Sequence, residues 1–98
     1  MVIKNILPIG TIVELHDLDV KILIGGYCAK SAKRSNYVWD YSGFMFPLGY
    51  SGADSIISFD SEQIKNVVAY GYQDKEQLEY AEKLEQLIST IDKGAEEA

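Results

Sequence analysis

The chain has 98 residues, is 47% hydrophobic and 24% charged, and carries a formal net charge of −6. That length suits one domain with a single modest core, and the composition is that of a globular rather than a disordered chain. No apolar run reaches the ~18 residues of a membrane span, and an acidic chain is repelled by phosphate backbones, so neither membrane insertion nor nucleic-acid binding is expected.

The opening "MVIKNILPIG" is too short and too weakly basic for a secretory signal. A cytoplasmic protein is expected, with export by a signal-less route together with a partner as the alternative. In "LPIG", Pro8 and Gly10 mark a turn. Thr11 to His16 alternates, with Val13 and Leu15 on one face and Glu14 and His16 on the other, which predicts a strand. A second strand runs from Val20 to about Lys30, with Val20, Ile22 and Ile24 on one face and Lys21, Leu23, Gly25 and Tyr27 on the other. Gly25 and Gly26 in its middle predict a bulge or bend. Lys30, Lys33 and Arg34 read as a solvated hairpin tip, with a contact for an acidic partner as the alternative.

From Asn36 to Gly52 the chain concentrates Tyr37, Trp39, Tyr41, Phe44, Phe46 and Tyr50. A third strand from Asn36 to about Ser42 puts Tyr37, Trp39 and Tyr41 on one face, and Val38, Asp40 and Ser42 on the other. An unpaired buried carboxylate is costly, so the aromatic face is expected to be the covered one. Phe44 to Asp54 is broken by Gly43, Pro47, Gly49 and Gly52 and reads as a loop, either a lid on the core or an exposed apolar patch. "SIISF", Ser55 to Phe59, is a fourth strand; Asp60 and Gln63 form a capping-box pattern; Lys65 to Tyr72 is a fifth strand ending near Gly71.

Asp74 and Gln77 repeat the capping-box pattern and open a helix from about Lys75 to Asp92, stopped at Gly94. Tyr80, Leu84, Leu87 and Ile91 recur at helical spacing, and Leu78, Ala81 and Ile88 widen the stripe. Such a stripe serves either docking on the chain's own sheet or pairing with a partner helix. The expected architecture is α+β and mainly β: a small bent antiparallel sheet or SH3-like barrel of about five strands with a C-terminal α-helix, or a more open sheet crossed by that helix. Residues 1–72 form the β part, 73–94 the amphipathic helix of the same domain, and 95–98 an acidic tail. Residues 73–98 hold eight acids and three bases, so the C-terminal arm carries most of the negative charge.

Little in the chain carries chemistry. It has no GxxxxGK[ST] phosphate loop, HExxH, GxSxG or EF-hand pattern. Cys28 is the lone cysteine and His16 the lone histidine, and the reading is of a half-buried strand residue and a strand end rather than a dyad. No catalytic, cofactor or metal residues are expected. The candidate contacts for a protein partner are Phe44, Phe46, Leu48 and Tyr50 in the aromatic loop, and Tyr80, Leu84, Leu87 and Ile91 on the helix.

The ordered series "LPIGTIVEL", "KILIGGY", "YVWDYSGFMFPLGY" and "FDSEQIKNVVAYGYQDKEQ" resembles domain-of-unknown-function family 4176, small proteins of Gram-positive Firmicutes, over about Ile6 to Glu82. Trp39 stands where the family often has tyrosine, and Gly25-Gly26 where it has one glycine. The resemblance implies a setting in type VII secretion loci beside LXG toxins. It implies a targeting or chaperone-like adaptor that binds the toxin's helical N-terminal domain and small helical WXG-like proteins. The alternatives are an immunity protein against a cognate toxin and a small SH3-like ligand-binding module. No catalytic residues come with the family.

Overall fold

The computed structural model describes residues 1, 3, 5–31 and 34–94, with the side chains at 31, 34 and 35 left undescribed. Lys33 and the Arg34 side chain of the expected basic tip therefore lie outside the described residues. The elements are β1 (Ile12–Leu15), β2 (Leu18–Ser31), β3 (Arg34–Phe46), β4 (Ile57–Phe59), β5 (Ile64–Ala69) and α1 (Lys75–Ile88), with short 3-10 turns at Ala53–Ser55 and Ser61–Gln63.

The five strands form one antiparallel sheet in the order β4-β3-β2-β1-β5. The sheet is open: β4 and β5 are its two edges, and it does not close into an SH3-like barrel. The Pro8 carbonyl accepts from the Thr11 amide at 3.1 Å, and Gly10, at φ +90°, supplies the positive φ that the third position of this turn needs. The alternation in β1 is as its sequence predicts, with Val13 and Leu15 buried. They join Ile3, Ile22, Ile24, Tyr41, Phe59 and Ile88 in one core, so the helix packs on the sheet face that β1 turns inward.

The predicted bulge is present, and it changes the face of one residue. Ile24 is opposite Gly43 and Gly26 opposite Ser42, so Gly25 is the extra residue of β2. One inserted residue inverts the alternation beyond it. Tyr27 is thereby moved from the side of Lys21 and Leu23 to the core side, opposite Tyr41, with ring centroids 5.8 Å apart.

Strand β3 runs on to Phe46, four residues past its expected end, because its last residues pair with β2: Phe44 with Leu23, Met45 with Ile22 and Phe46 with Lys21. The loop starts only at Pro47, and it is not a lid: Phe46, Leu48 and Tyr50 are 43%, 68% and 64% exposed. Strand β4 begins at Ile57 rather than Ser55, and β5 ends at Ala69, short of Tyr72.

Tyr37 and Tyr41 are buried, yet the argument from Asp40 fails, since Asp40 is itself only 4% exposed. Its carboxylate accepts from Lys93 Nζ at 2.7 Å, from the Ser61 amide at 2.8 Å and from Ser61 Oγ at 2.9 Å. Asp60 accepts from the same Lys93 ammonium at 2.8 Å, from the Tyr37 hydroxyl at 2.6 Å and from the Asp40 amide at 3.1 Å. A buried carboxylate is tolerated where it is paired and its lone pairs are filled, as here. Lys93 also lies over the Tyr37 ring, and its carbonyl accepts from the Val38 amide at 2.8 Å. The segment after α1 is thus a strap along the outer edge of β3, where β4 no longer reaches.

The strap explains why α1 ends at Ile88 and not at Asp92. The Ser89 and Thr90 hydroxyls donate back to the Gln86 and Leu87 carbonyls, and the Met1 ammonium donates to the Ile91 carbonyl at 2.7 Å. These bonds turn the chain off the helix axis toward β3. Gly94, at φ +100°, lies so close to Asn36 that a Cβ would overlap the Asn36 carbonyl oxygen.

A candidate binding groove beside the terminal helix

Helix α1 starts where its cap predicts: Asp74 accepts from the Gln77 amide at 2.8 Å. Its apolar stripe then divides in two. Ile88 is fully buried, and Leu84 and Ile91 are half-buried against the core. Tyr80 and Leu87 remain 56% and 63% exposed. The helix therefore docks on its own sheet through Leu84, Ile88 and Ile91, and leaves Tyr80 and Leu87 at the surface.

Between this helix and the turn before β1 lies an apolar groove of about 660 Å³. Ile9, Tyr27 and Cys28 form one wall, and Tyr80, Leu84, Leu87 and Ile91 the other. Ile9 is presented by the Pro8–Thr11 turn, and Tyr27 is brought there by the Gly25 bulge. A second hollow of about 450 Å³ continues past Ile9, Tyr27 and Tyr80 to Tyr72 and the first turn of α1.

The groove offers shape rather than reactive groups. The Tyr27 hydroxyl donates to the Leu7 carbonyl, and burial, with the neighbouring Tyr41 and Tyr80 phenols, pushes its pKa up to about 12. A phenol held protonated in this way is a poor general base near neutrality. Burial, then the charge of Asp40, also raises the Cys28 thiol, which disfavours the nucleophilic thiolate. His16 sits in the exposed β1–β2 turn, at the other end of β2 from Cys28, roughly 30 Å of extended strand away. Among the described residues no group of three or more His, Cys, Asp or Glu is placed to hold a metal ion, and no helix is long and apolar enough to cross a membrane.

Of the eight candidate contacts, Tyr80, Leu84, Leu87 and Ile91 line the groove. Phe44, Phe46, Leu48 and Tyr50 do not. The Phe44 ring lies over Gly25, with Tyr50 edge-on at 5.6 Å, and Phe46 lines a cleft with the β1–β2 turn. The loop and helix candidates therefore form two separate patches. Ile9, Tyr27 and Tyr72 were not among the sequence candidates. The doubled glycine that re-aims Tyr27 is visible in the sequence, but the change of face it causes is legible only once the bulge is placed at Gly25.

The model of a domain of unknown function, DUF4176, matches residues 6–80, about three-quarters of the chain. The chain belongs to the DUF4176 family. No curated protein and no solved structure matches it. The DUF4176 segment contains one groove wall, Ile9, Tyr27 and Cys28, together with Tyr72 and Tyr80, and stops before Leu84, Leu87, Ile91 and the Lys93 strap.

Proposed function

We propose that this DUF4176 protein is a non-enzymatic protein-binding accessory factor of type VII secretion in Firmicutes. It acts in the cytoplasm as a targeting or chaperone-like adaptor for the helical N-terminal domain of an LXG toxin, alongside small helical WXG-like proteins. The observation that carries the binding role is the groove between α1 and the Ile9 turn, where Ile9, Tyr72, Tyr80 and Leu87 are all exposed. Exposed aromatic and aliphatic side chains lining a groove are the usual anchors of a helix laid into it. The secretion setting comes from the family resemblance.

The test is a pull-down with the two halves of the cognate toxin expressed separately. The adaptor captures the N-terminal helical half and not the toxic C-terminal half. Capture of the C-terminal half alone would overturn the adaptor and make the protein an immunity factor. Leu87→Asp should weaken capture by about tenfold or more, since it places a charge on the groove wall. Because Leu87 is exposed in the free protein, the same change should move folding stability by less than about 1 kcal/mol. Equal losses of folding and capture would show that Leu87 serves the fold instead.

A further inference from the structure

We propose that the sheet face turned away from α1 is a dimerisation surface, covered by a second copy of this chain. Val13, Leu15, Ile22 and Ile24 point to the core with Ile88 of the helix. Their neighbours along β1 and β2 point the other way. On that outer face Ala69, Ile12, Leu23 and Phe44 stand side by side across β5, β1, β2 and β3. None of these belongs to the core or to the hydrophobic residues packed against it. Val68, Phe46 and Tyr50, at 47%, 43% and 64% exposed, extend the apolar surface at its margins, and Tyr50 stands edge-on to the Phe44 ring. A single sheet with a helix on one side leaves such a face to be covered from outside.

The face complements itself, and this identifies the cover. Beside the apolar row runs a second row in the same strand order: Asn66, Glu14, Lys21 and Phe46. A two-fold axis parallel to the strands, between β1 and β2, presents both rows of the second copy in reverse. Ile12 then meets Leu23, and the small Ala69 meets the large Phe44, the matching that a close-packed layer needs. Glu14 meets Lys21 on both sides of the axis, and Asn66 meets Phe46 at the rim. In the single chain Lys21 makes no ion pair among the described residues, and Glu14 has a long hydrogen bond from the Asn66 side-chain amide at 3.3 Å. Both charges therefore gain a partner in the pair. Two such faces about 10 Å apart and turned by ~30° make a β-sandwich.

The free edge of β5 is the poorer place for two copies to meet, because two bulges against β1 and the charge of Lys65 break that edge. The net charge of −6 does not oppose face-to-face contact strongly. Glu76, Glu79, Glu82 and Glu85 belong to α1, on the far side of the sheet. Four strands ~4.8 Å apart and about five residues long span roughly 20 by 17 Å, and with projecting side chains the pair buries on the order of 1,200 Å². That is the low end of the range for specific interfaces, so an affinity of about micromolar is expected. The groove beside α1 stays open on each copy.

Sedimentation velocity on the full chain, from about 1 μM to about 1 mM, should show monomer passing reversibly into dimer. Ile12→Thr with Leu23→Thr places strand-forming but polar residues on the face and should weaken the dimer by about tenfold or more, with the fold checked by thermal melting. This variant is also the background in which pairing of strand margins reads by itself. Glu14→Lys and Lys21→Glu, each alone, bring like charges together across the axis and should each weaken the dimer by about tenfold. An equimolar mixture of these two variants restores opposite charges across the axis and should recover the dimer, although neither chain regains its own cross-strand pair. A merely structural role of Glu14 and Lys21 would give no such recovery. The charge variants carry the test if the threonine chain fails to fold. A full chain that stays monomeric to about 1 mM would overturn the proposal. So would a dimer that the threonine substitutions leave unchanged in a folded chain, or a mixture of charge variants that does not recover.

Discussion

Lys93 is a single ammonium shared by two carboxylates, and several features of the fold meet at it. Burial by itself would lower its pKa, but the hydrogen bonds and charges of Asp40 and Asp60 outweigh that and hold it well above the ordinary lysine value of 10.5. A raised folded-state value means a contribution that is fully present below the unfolded pKa and lost as pH climbs through the folded one. Tyr27 acts in the same direction, since its neutral phenol is the form the fold favours, from 10.0 unfolded to about 12 folded. Stability should therefore fall as pH rises, first through the raised Cys28 thiol from its ordinary value of 9.0 and then more steeply above about pH 10. Urea melts at a series of alkaline pH values should show this, with a shallower fall in Lys93→Met and in Tyr27→Phe. An identical fall in both variants would show that other groups control the alkaline limit. At neutral pH, Lys93→Met leaves Asp40 and Asp60 side by side without a cation. Breaking a fully buried pair costs ~3–5 kcal/mol, and solvent at the 30%-exposed lysine reduces that to roughly 2–3 kcal/mol. Asp60→Asn in the Lys93→Met background should recover part of the loss.

At the level of the elements, the bulge at Gly25 has the widest effect. Deleting Gly25 would restore unbroken alternation through β2 and turn Tyr27 outward, away from Tyr41 and the groove. The expected result is a loss of about 3 kcal/mol or more, within the range for removing a well-packed aromatic, together with loss of capture of the toxin's N-terminal half. Hydrogen exchange of β2 and a binding titration would read both, and a native-like deletion variant would sink the assignment. The sequence made this element legible up to a point. Local signals were readable: alternation in β1, the Asp74 cap of α1, the turn at Pro8–Thr11 and the paired glycines all depend on neighbours within a few residues. What was not readable depends on distant partners. Strand β3 continues through Gly43 because β2 lies beside it, Asp40 is buried because Lys93 returns to it from 53 residues away, and α1 stops early because its end is drawn toward β3. The site was half legible for the same reason. The helix stripe showed its residues, whereas the opposite wall is assembled from a turn and a re-aimed strand residue.

On the scale of the whole molecule, the strap closes an otherwise open margin. Beyond β4 the outward amides of β3 are taken one by one, Asp40 by the Asp60 carboxylate and Val38 by the Lys93 carbonyl. Unpaired strand margins are templates for pairing with other chains. Residues 91–94 therefore govern colloidal behaviour as well as folding. A chain cut after Ile91 should remain soluble when dilute but associate reversibly as concentration rises, because two such margins can zip together antiparallel. Sedimentation velocity over a concentration series would show this, and a cut chain that stays monomeric throughout would count against it. For anyone preparing the protein, the C-terminus is then the wrong end to trim, and an affinity tag belongs beyond residue 98 on a linker long enough to leave Lys93 and Gly94 in place.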